Sequence, residues 1–295
     1  MQIGIVGTDT SHAVAFAEHF HQIGGRSRRT AFRISVGYAG GSAEIPISAT
    51  RVNGFRKTLE ERFGVAFVGS PEEVAARCDA LLVLSVDGNT HLPLVRMLAP
   101  FGRPLFVDKP FALSSADARE ILAVARRHGA PIMSCSSLRF APALTALLES
   151  GRPNGADFYG PLSVQPGIPT LFWYGIHACE MLVTALGPDF STVSHVAQGE
   201  DEVYAAVWEG GAVGTLRLNV RGRAAFGGTL HYPNRSAFCD AGAGYFGSMV
   251  EAVIQFFRTG VPPVASADTA AVIRFLEEAS AAREAHLSNS SVTLS

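Results

Sequence analysis

Along the first 135 residues, short and almost wholly apolar runs alternate with longer stretches in which apolar residues recur every three or four positions. The apolar runs fall at 2–6, 31–38 ("AFRISVGY"), 65–68, 80–85 ("ALLVLS"), 104–107 ("PLFV") and 131–134 ("PIMS"). A strand apolar on both sides needs cover on both faces, so six such runs joined by amphipathic helices predict a doubly wound parallel sheet. The helices carry their own start and stop signals. Ser70, Pro71 and Glu73 read as N-cap, first-turn proline and capping-box acid; Ser114 with Asp117 repeats this before "AREILAVARRHG", and Gly129 ends that helix.

Past Ala141 the period changes. A helix at about 141–149 and the break "GRPNGADFYG" lead into stretches alternating every second residue, such as "VYAAVWEGGAVGTLRLNV", where Glu209-Gly210-Gly211 predicts a hairpin turn. Period two means one packed and one exposed face, which predicts a single, mostly antiparallel open sheet. Two helical stretches, about 244–258 and 267–286, complete the pattern. The expected organisation is α/β, with one domain over 1–138 and a second over 139–295.

With 295 residues and 47% hydrophobic content, the chain is long enough for two cores. Its net charge of -2 is spread along the chain, which argues against nucleic acid or an anionic membrane as partner. The basic cluster Arg26, Arg28 and Arg29 is short and reads as a solvated loop. Cys78, Cys135, Cys179 and Cys239 are widely spaced and form no CxxC pair, so neither zinc nor a disulfide framework is expected, and no other metal is. Neither a signal-peptide pattern nor a membrane-length apolar run is present, and a reducing, cytoplasmic setting is expected.

Candidate chemistry gathers at predicted strand ends. "GIVGTDTSH" runs a strand into a glycine turn and a helix, as in a dinucleotide-binding unit, but only Gly7 of the three fingerprint glycines is kept; Asp9 and His12 hold the other two positions. Thr8, Thr10 and Ser11 can still donate hydrogen bonds to a pyrophosphate at the helix N-terminus. The second strand ends in "GYAGGSAE", so Gly40, Gly41 and Ser42 stand where an acid would bind the ribose 2′-hydroxyl, with Glu44 and Arg51 further on. That absence favours a 2′-phosphate, hence NADP over NAD. "SVDGNTH" and "FVDKPFALS" place Ser85, Val86, Asp87, Asn89 and His91, then Asp108 and Lys109, at the carboxyl edge of the sheet, where such folds bind ligands. Pro110 biases Lys109 to an extended conformation. Asn89 or Thr90 can equally serve as a helix cap.

Taken in order, "IGIVG", "VLSVDGNTH", "FVDKPFALS", "SLRFAP", "YGIHACEML" and "GVPPVASADTAAVIRFLEEA" resemble the Gfo/Idh/MocA family of oxidoreductases over nearly the whole chain. The resemblance implies a Rossmann domain followed by an α/β domain with an open sheet. It also implies an NAD(P)-dependent dehydrogenase taking hydride from a sugar, cyclitol or related polyol. Lys109 and His177 fall on the family's two catalytic positions over the nicotinamide, where a base at the hydroxyl and a cation beside the alkoxide lower the barrier. By this alignment Arg139 can hold a substrate carboxylate or hydroxyl or, equally, make a structural pair near the domain junction; Trp173 and Tyr174 can wall the substrate pocket, and Gln165 and Glu180 are further candidate pocket residues. His195 and His231 read as strand or loop surface.

The departures are specific. Trp173 occupies the position of the family's helix acid four residues before the histidine, and Asp108 replaces the Glu of Glu-Lys-Pro. Asp9, His12, Lys109 and His177 therefore leave open a non-redox lyase, isomerase or hydratase, or a ligand-sensing member, with the cofactor lost or tightly held. A homo-oligomer, dimer or tetramer, is expected because an open sheet face needs covering.

Overall fold

The computed structural model describes residues 1–24, 32–220 and 225–292; Arg26, Arg28 and Arg29 lie outside the described residues. The chain divides into two compact units, Met1–Cys135 with Val250–Ser266, and Ser136–Met249 with Ala267–Ser295. The return of 250–266 to the first unit is an excursion that a contiguous division at 138 does not contain. Its local reason is packing: the Arg258 guanidinium lies 5.0 Å over the Phe32 ring.

The first unit alternates strand and helix: β1 (Gln2–Val6), α1 (Ser11–Gly24), β2 (Arg33–Tyr38), α2 (Pro46–Phe63), β3 (Ala66–Phe67), α3 (Pro71–Ala75), β4 (Ala80–Val83), α4 (His91–Leu98), β5 (Leu105–Val107), α5 (Ser115–Arg127) and β6 (Ile132–Met133). All six strands pair in parallel in the order β3-β2-β1-β4-β5-β6, so the winding reverses between β1 and β4. This is a Rossmann sheet. Residues 80–84 and 105–107 are fully buried, as cover on both faces requires. Phe16 of α1 packs edge-on against Phe106 at 5.5 Å, fixing the helix that carries the opening loop. The caps fall where the sequence places them: Ser70 accepts the Glu73 N–H at 3.2 Å and Ser114 that of Asp117 at 3.0 Å.

The second unit contains α6 (Pro142–Leu148), β7 (Gly155–Pro161), α7 (Ile176–Leu186), β8 (Ser194–Gln198), β9 (Asp201–Val207), β10 (Val213–Asn219), β11 (Gly227–Tyr232) and β12 (Arg235–Asp240), and most of α9 (Ser266–Val292); α8 (Tyr245–Thr259) precedes α9. Its six-stranded sheet runs β12-β11-β7-β10-β9-β8. The β9–β10 hairpin forms about the predicted turn, and every pair is antiparallel except β7 with β10. That exception follows from α7, which packs on both strands and carries the chain away before β8 and β9 bring it back.

Strand parity corrects one expectation. β8 pairs His195 opposite Tyr204, which is fully buried, so His195 faces the packed side and its side chain is 1% exposed. Its ring lies tilted against Tyr204 at 4.7 Å and meets His286 edge-on at 5.1 Å. His231 lies on the exposed side, bonded to Asp157 and Ser236.

Candidate active site

The carboxyl edge of the first sheet is built from four loops. Gly7 turns the chain out of β1 at a φ of 90°, and a Cβ there would stand 2.6 Å from the Ser85 backbone nitrogen, so glycine alone permits this approach of the β1 and β4 loops. Thr8 is fully buried, its hydroxyl directed at the Ala39 and Val52 carbonyls. Asp9 is also fully buried: its carboxylate accepts the Ser48 hydroxyl at 2.6 Å and the Val86 N–H at 3.3 Å. Burial pushes the Asp9 carboxyl up, against those bonds. Thr8 and Asp9 thus turn inward and brace the loops, while Thr10 accepts the His12 N–H and Ser11 stays exposed on the first turn of α1.

Gly41 is exposed, and Ser42 donates its hydroxyl to Asp87 at 2.9 Å. Asp87, rather than Asn89 or Thr90, is the cap after β4, accepting the Asn89 N–H at 3.0 Å. Ser85 and Val86 are buried, and Asn89 is exposed. His91 is wholly buried with its ring nitrogens 3.1 Å from the Phe111 carbonyl and 2.9 Å from that of Ser85, which makes it a brace between loops.

Just past β5, buried Asp108 accepts the His12 Nδ1–H at 2.7 Å on one oxygen and the Lys109 backbone N–H at 2.9 Å on the other. Burial works to raise the Asp108 carboxyl, but His12 and Lys109 outweigh it and hold the group below the usual carboxylate range. Burial pushes the Lys109 ammonium down, and Asp108 opposes it. The His12 side chain remains 23% exposed. Sequence reasoning named all three residues but not their contact, since 96 positions separate His12 from Asp108.

In the second unit, the segment "LFWYG" forms a wide π turn leading into α7, an irregularity frequent at functional sites. His177, in the first turn of α7, has Nδ1 2.6 Å from the Ser136 hydroxyl. Tyr174 and Phe226 meet its ring edge-on at 5.6 and 5.4 Å, and Trp173 flanks Tyr174 at 5.9 Å. Ser136 and Phe226 are additions that the sequence did not single out; Ser136 betrays itself only as the cap accepting the Leu138 N–H. Arg139 bridges Glu180 at 3.0 Å and Asp268, tying α7 to α9. Burial pushes the Glu180 carboxyl up, opposed by Arg139. Gln165 is half-buried and bridges to Ile168 in a separate loop. Among the described residues no group of His, Cys, Asp and Glu is arranged to hold a metal ion.

Residues 1–135 match the model of the Gfo/Idh/MocA group, described as an oxidoreductase family with an NAD-binding Rossmann fold. The match takes in the whole of the six-stranded parallel sheet. The chain is also similar to D-apiose dehydrogenase of Paraburkholderia graminis, 37% identical over 82 residues, 27% of this chain and 22% of that protein. An oxidoreductase of Escherichia coli is 26% identical over 141 residues, so the chain spans less than half of the curated relatives it matches: 22% of one and 41% of the other. Whole-chain similarity comes from structures. A probable dehydrogenase from Thermotoga maritima superposes with a TM-score of 0.78 at 18% identity, over 97% of each chain. GenD2 of gentamicin A biosynthesis, solved with NAD, gives 0.74 at 16% identity over 96% of this chain and 93% of that one. At these identities the structures establish the shared fold, including the open second sheet.

Proposed function

We propose that this protein is an NAD(P)-dependent dehydrogenase that oxidises a CH–OH group of a sugar, cyclitol or related polyol. The observation that carries this reading is Lys109 at the carboxyl edge of a sheet that matches an NAD-binding family, its backbone N–H bonded to a carboxylate, Asp108, that is itself held by His12. The loops fit a dinucleotide: a helix N-terminus with exposed Ser11 suits a pyrophosphate, and the inward turn of Asp9 keeps its carboxylate in bonds to Ser48 and Val86. Gly7, Thr10, Ser11 and His12 would hold the phosphates, Gly41, Ser42 and Asp87 the adenosine end, and Asp108 and Lys109 the nicotinamide end.

When bound, the nicotinamide supplies the hydride acceptor. The chain's own residues manage the proton. Burial favours the neutral amine of Lys109, which receives the substrate hydroxyl proton. The Ser136 hydroxyl, which accepts the Leu138 N–H, lies 2.6 Å from Nδ1 of His177, and in the tautomer this reading uses it donates to Nδ1 and leaves the ring proton on Nε2. In the second unit His177 thereby offers an Nε2–H, the donor that the family resemblance assigns to the substrate oxygen. This replaces the carboxylate partner whose position Trp173 occupies, while Trp173 and Tyr174 offer ring faces to an apolar sugar face. Arg139 is engaged with two carboxylates and acts as a tie for α7.

Several coarser features support the same reading. Cys78, Cys135, Cys179 and Cys239 are all buried thiols, which suits a reducing cytoplasm. No described helix is long and apolar enough to cross a membrane. Titration of the protein with NAD, NADH, NADP and NADPH by calorimetry, followed by a panel of polyols with the bound form, tests the proposal. Saturable binding and reduction of the nucleotide by a polyol are expected; no binding of any of the four at millimolar concentration removes the reading.

A further inference from the structure

The end of β2 holds no acid, yet a carboxylate is present there. Asp87 reaches the β2–α2 loop from the end of β4, and its Oδ2 accepts the Ser42 hydroxyl at 2.9 Å while Oδ1 accepts the Asn89 N–H at 3.0 Å. Beneath it the same two loops are joined again: Asp9 accepts from both Ser48 Oγ and the Val86 N–H, and Ser48 Oγ accepts the Ser42 N–H at 2.7 Å. Asp87 is therefore held in place by its sequence neighbour and by its hydrogen-bond partner. Its two bonds use about half of the roughly four acceptor sites of a carboxylate, leaving room for hydroxyls. Glu44, exposed two residues after Ser42, adds a second negative charge, and Arg51 is exposed further along α2.

In a doubly wound sheet, the loop after the second strand meets the adenosine ribose, and an acid there accepts its hydroxyls. We propose that Asp87 takes this role from a different loop, so that the protein selects NAD over NADP. The proposal rests on the dinucleotide-binding reading above and reverses the preference inferred from the end of β2 alone. A 2′-phosphate carries between one and two negative charges at neutral pH. Repulsion from a carboxylate about 4 Å away, even at water-like screening, weakens NADP binding by about tenfold.

Calorimetric titration of the whole protein with NAD and with NADP, for the wild type and for Asp87→Asn, decides the matter. The expected result is NAD binding at least about tenfold tighter than NADP in the wild type, with the ratio falling to about threefold or less in Asp87→Asn, mainly because NADP binds better. The asparagine keeps the shape of the side chain and can still accept the Asn89 N–H. NADP binding as tightly as NAD in the wild type, or an unchanged ratio in a variant with a wild-type melting curve, overturns the proposal. If the variant does not fold, the wild-type ratio is followed from low to high salt: it should shrink, because the discrimination is electrostatic, and a constant ratio overturns the proposal. Binding of neither nucleotide takes down the dehydrogenase reading itself and this proposal with it, a result distinct from a preference for NADP.

Discussion

Asp9 stands where a nucleotide-binding loop keeps its second glycine, and the structure gives its carboxylate a purpose inside the fold. It satisfies the buried Val86 N–H and the Ser48 hydroxyl. Asp9→Ala should therefore cost about 1–3 kcal/mol in urea denaturation, the penalty of leaving such groups without a partner. Lys109 allows a sharper prediction. The Asp108 carboxylate holds the proton on Lys109, so Asp108→Asn should lower the Lys109 pKa further. The limb of the kcat/KM profile that belongs to Lys109 then moves to lower pH, and a limb that stays or moves upward refutes the assignment. Lys109→Ala should reduce kcat, measured in the steady state at saturating nucleotide, by about a hundredfold or more. Arg139 behaves differently because its role is structural. Arg139→Met leaves Glu180 buried without that cation and should cost about 3–5 kcal/mol at neutral pH. The Glu180 carboxyl, already pushed up by burial, then protonates more readily, so the penalty grows as pH rises above the ordinary glutamate range and is smaller near about pH 5 than near about pH 8.

At the scale of elements, local signals were the legible ones. Caps at Ser70 and Ser114 are spelled by neighbours three residues apart, and both form. The six parallel strands appear at the predicted places but shorter by up to two residues at an end, as in 80–85 against Ala80–Val83, because an apolar residue that faces the core from a loop looks the same in sequence as one in a strand. Contacts made across the chain were not legible. Nothing in "SVDGNTH" announces that Asp87 will meet Ser42, or in "SLRFAP" that Ser136 just before it will meet His177. His195 shows how little is needed to misplace a residue, since the strand parity that decides its face depends on the register with β9. Ser114→Ala should destabilise the first unit by about 1 kcal/mol, measured by chemical denaturation, because it removes the bond to the first turn of α5.

For the whole molecule, the change of period past Ala141 foretold a second architecture, and the six-stranded open sheet is that architecture. What the period could not show is how the outer face is populated. Val207 and Val213 are directly opposed across β9 and β10 and are 47% and 52% exposed, while Val196 on one edge strand and Phe238 on the other are each 65% exposed. Polar residues such as Asp157, Thr215 and Arg217 lie among them, so the face is mixed, as in an interface that forms after folding. Covering this face with the same face of a second copy buries the apolar side chains of both at once, and a two-fold arrangement closes without leaving a free surface for further growth. Light scattering should accordingly give a mass that is a multiple of the 31.2 kDa chain. Val213→Lys should shift that mass toward a single chain without changing the circular dichroism spectrum, because an ammonium desolvated on the covered face has no carboxylate directly across the strand pair to meet it. A wild-type protein that remains a single chain at micromolar concentration would show that this open face is stable in water, with its exposed valines tolerated as isolated apolar positions between charges.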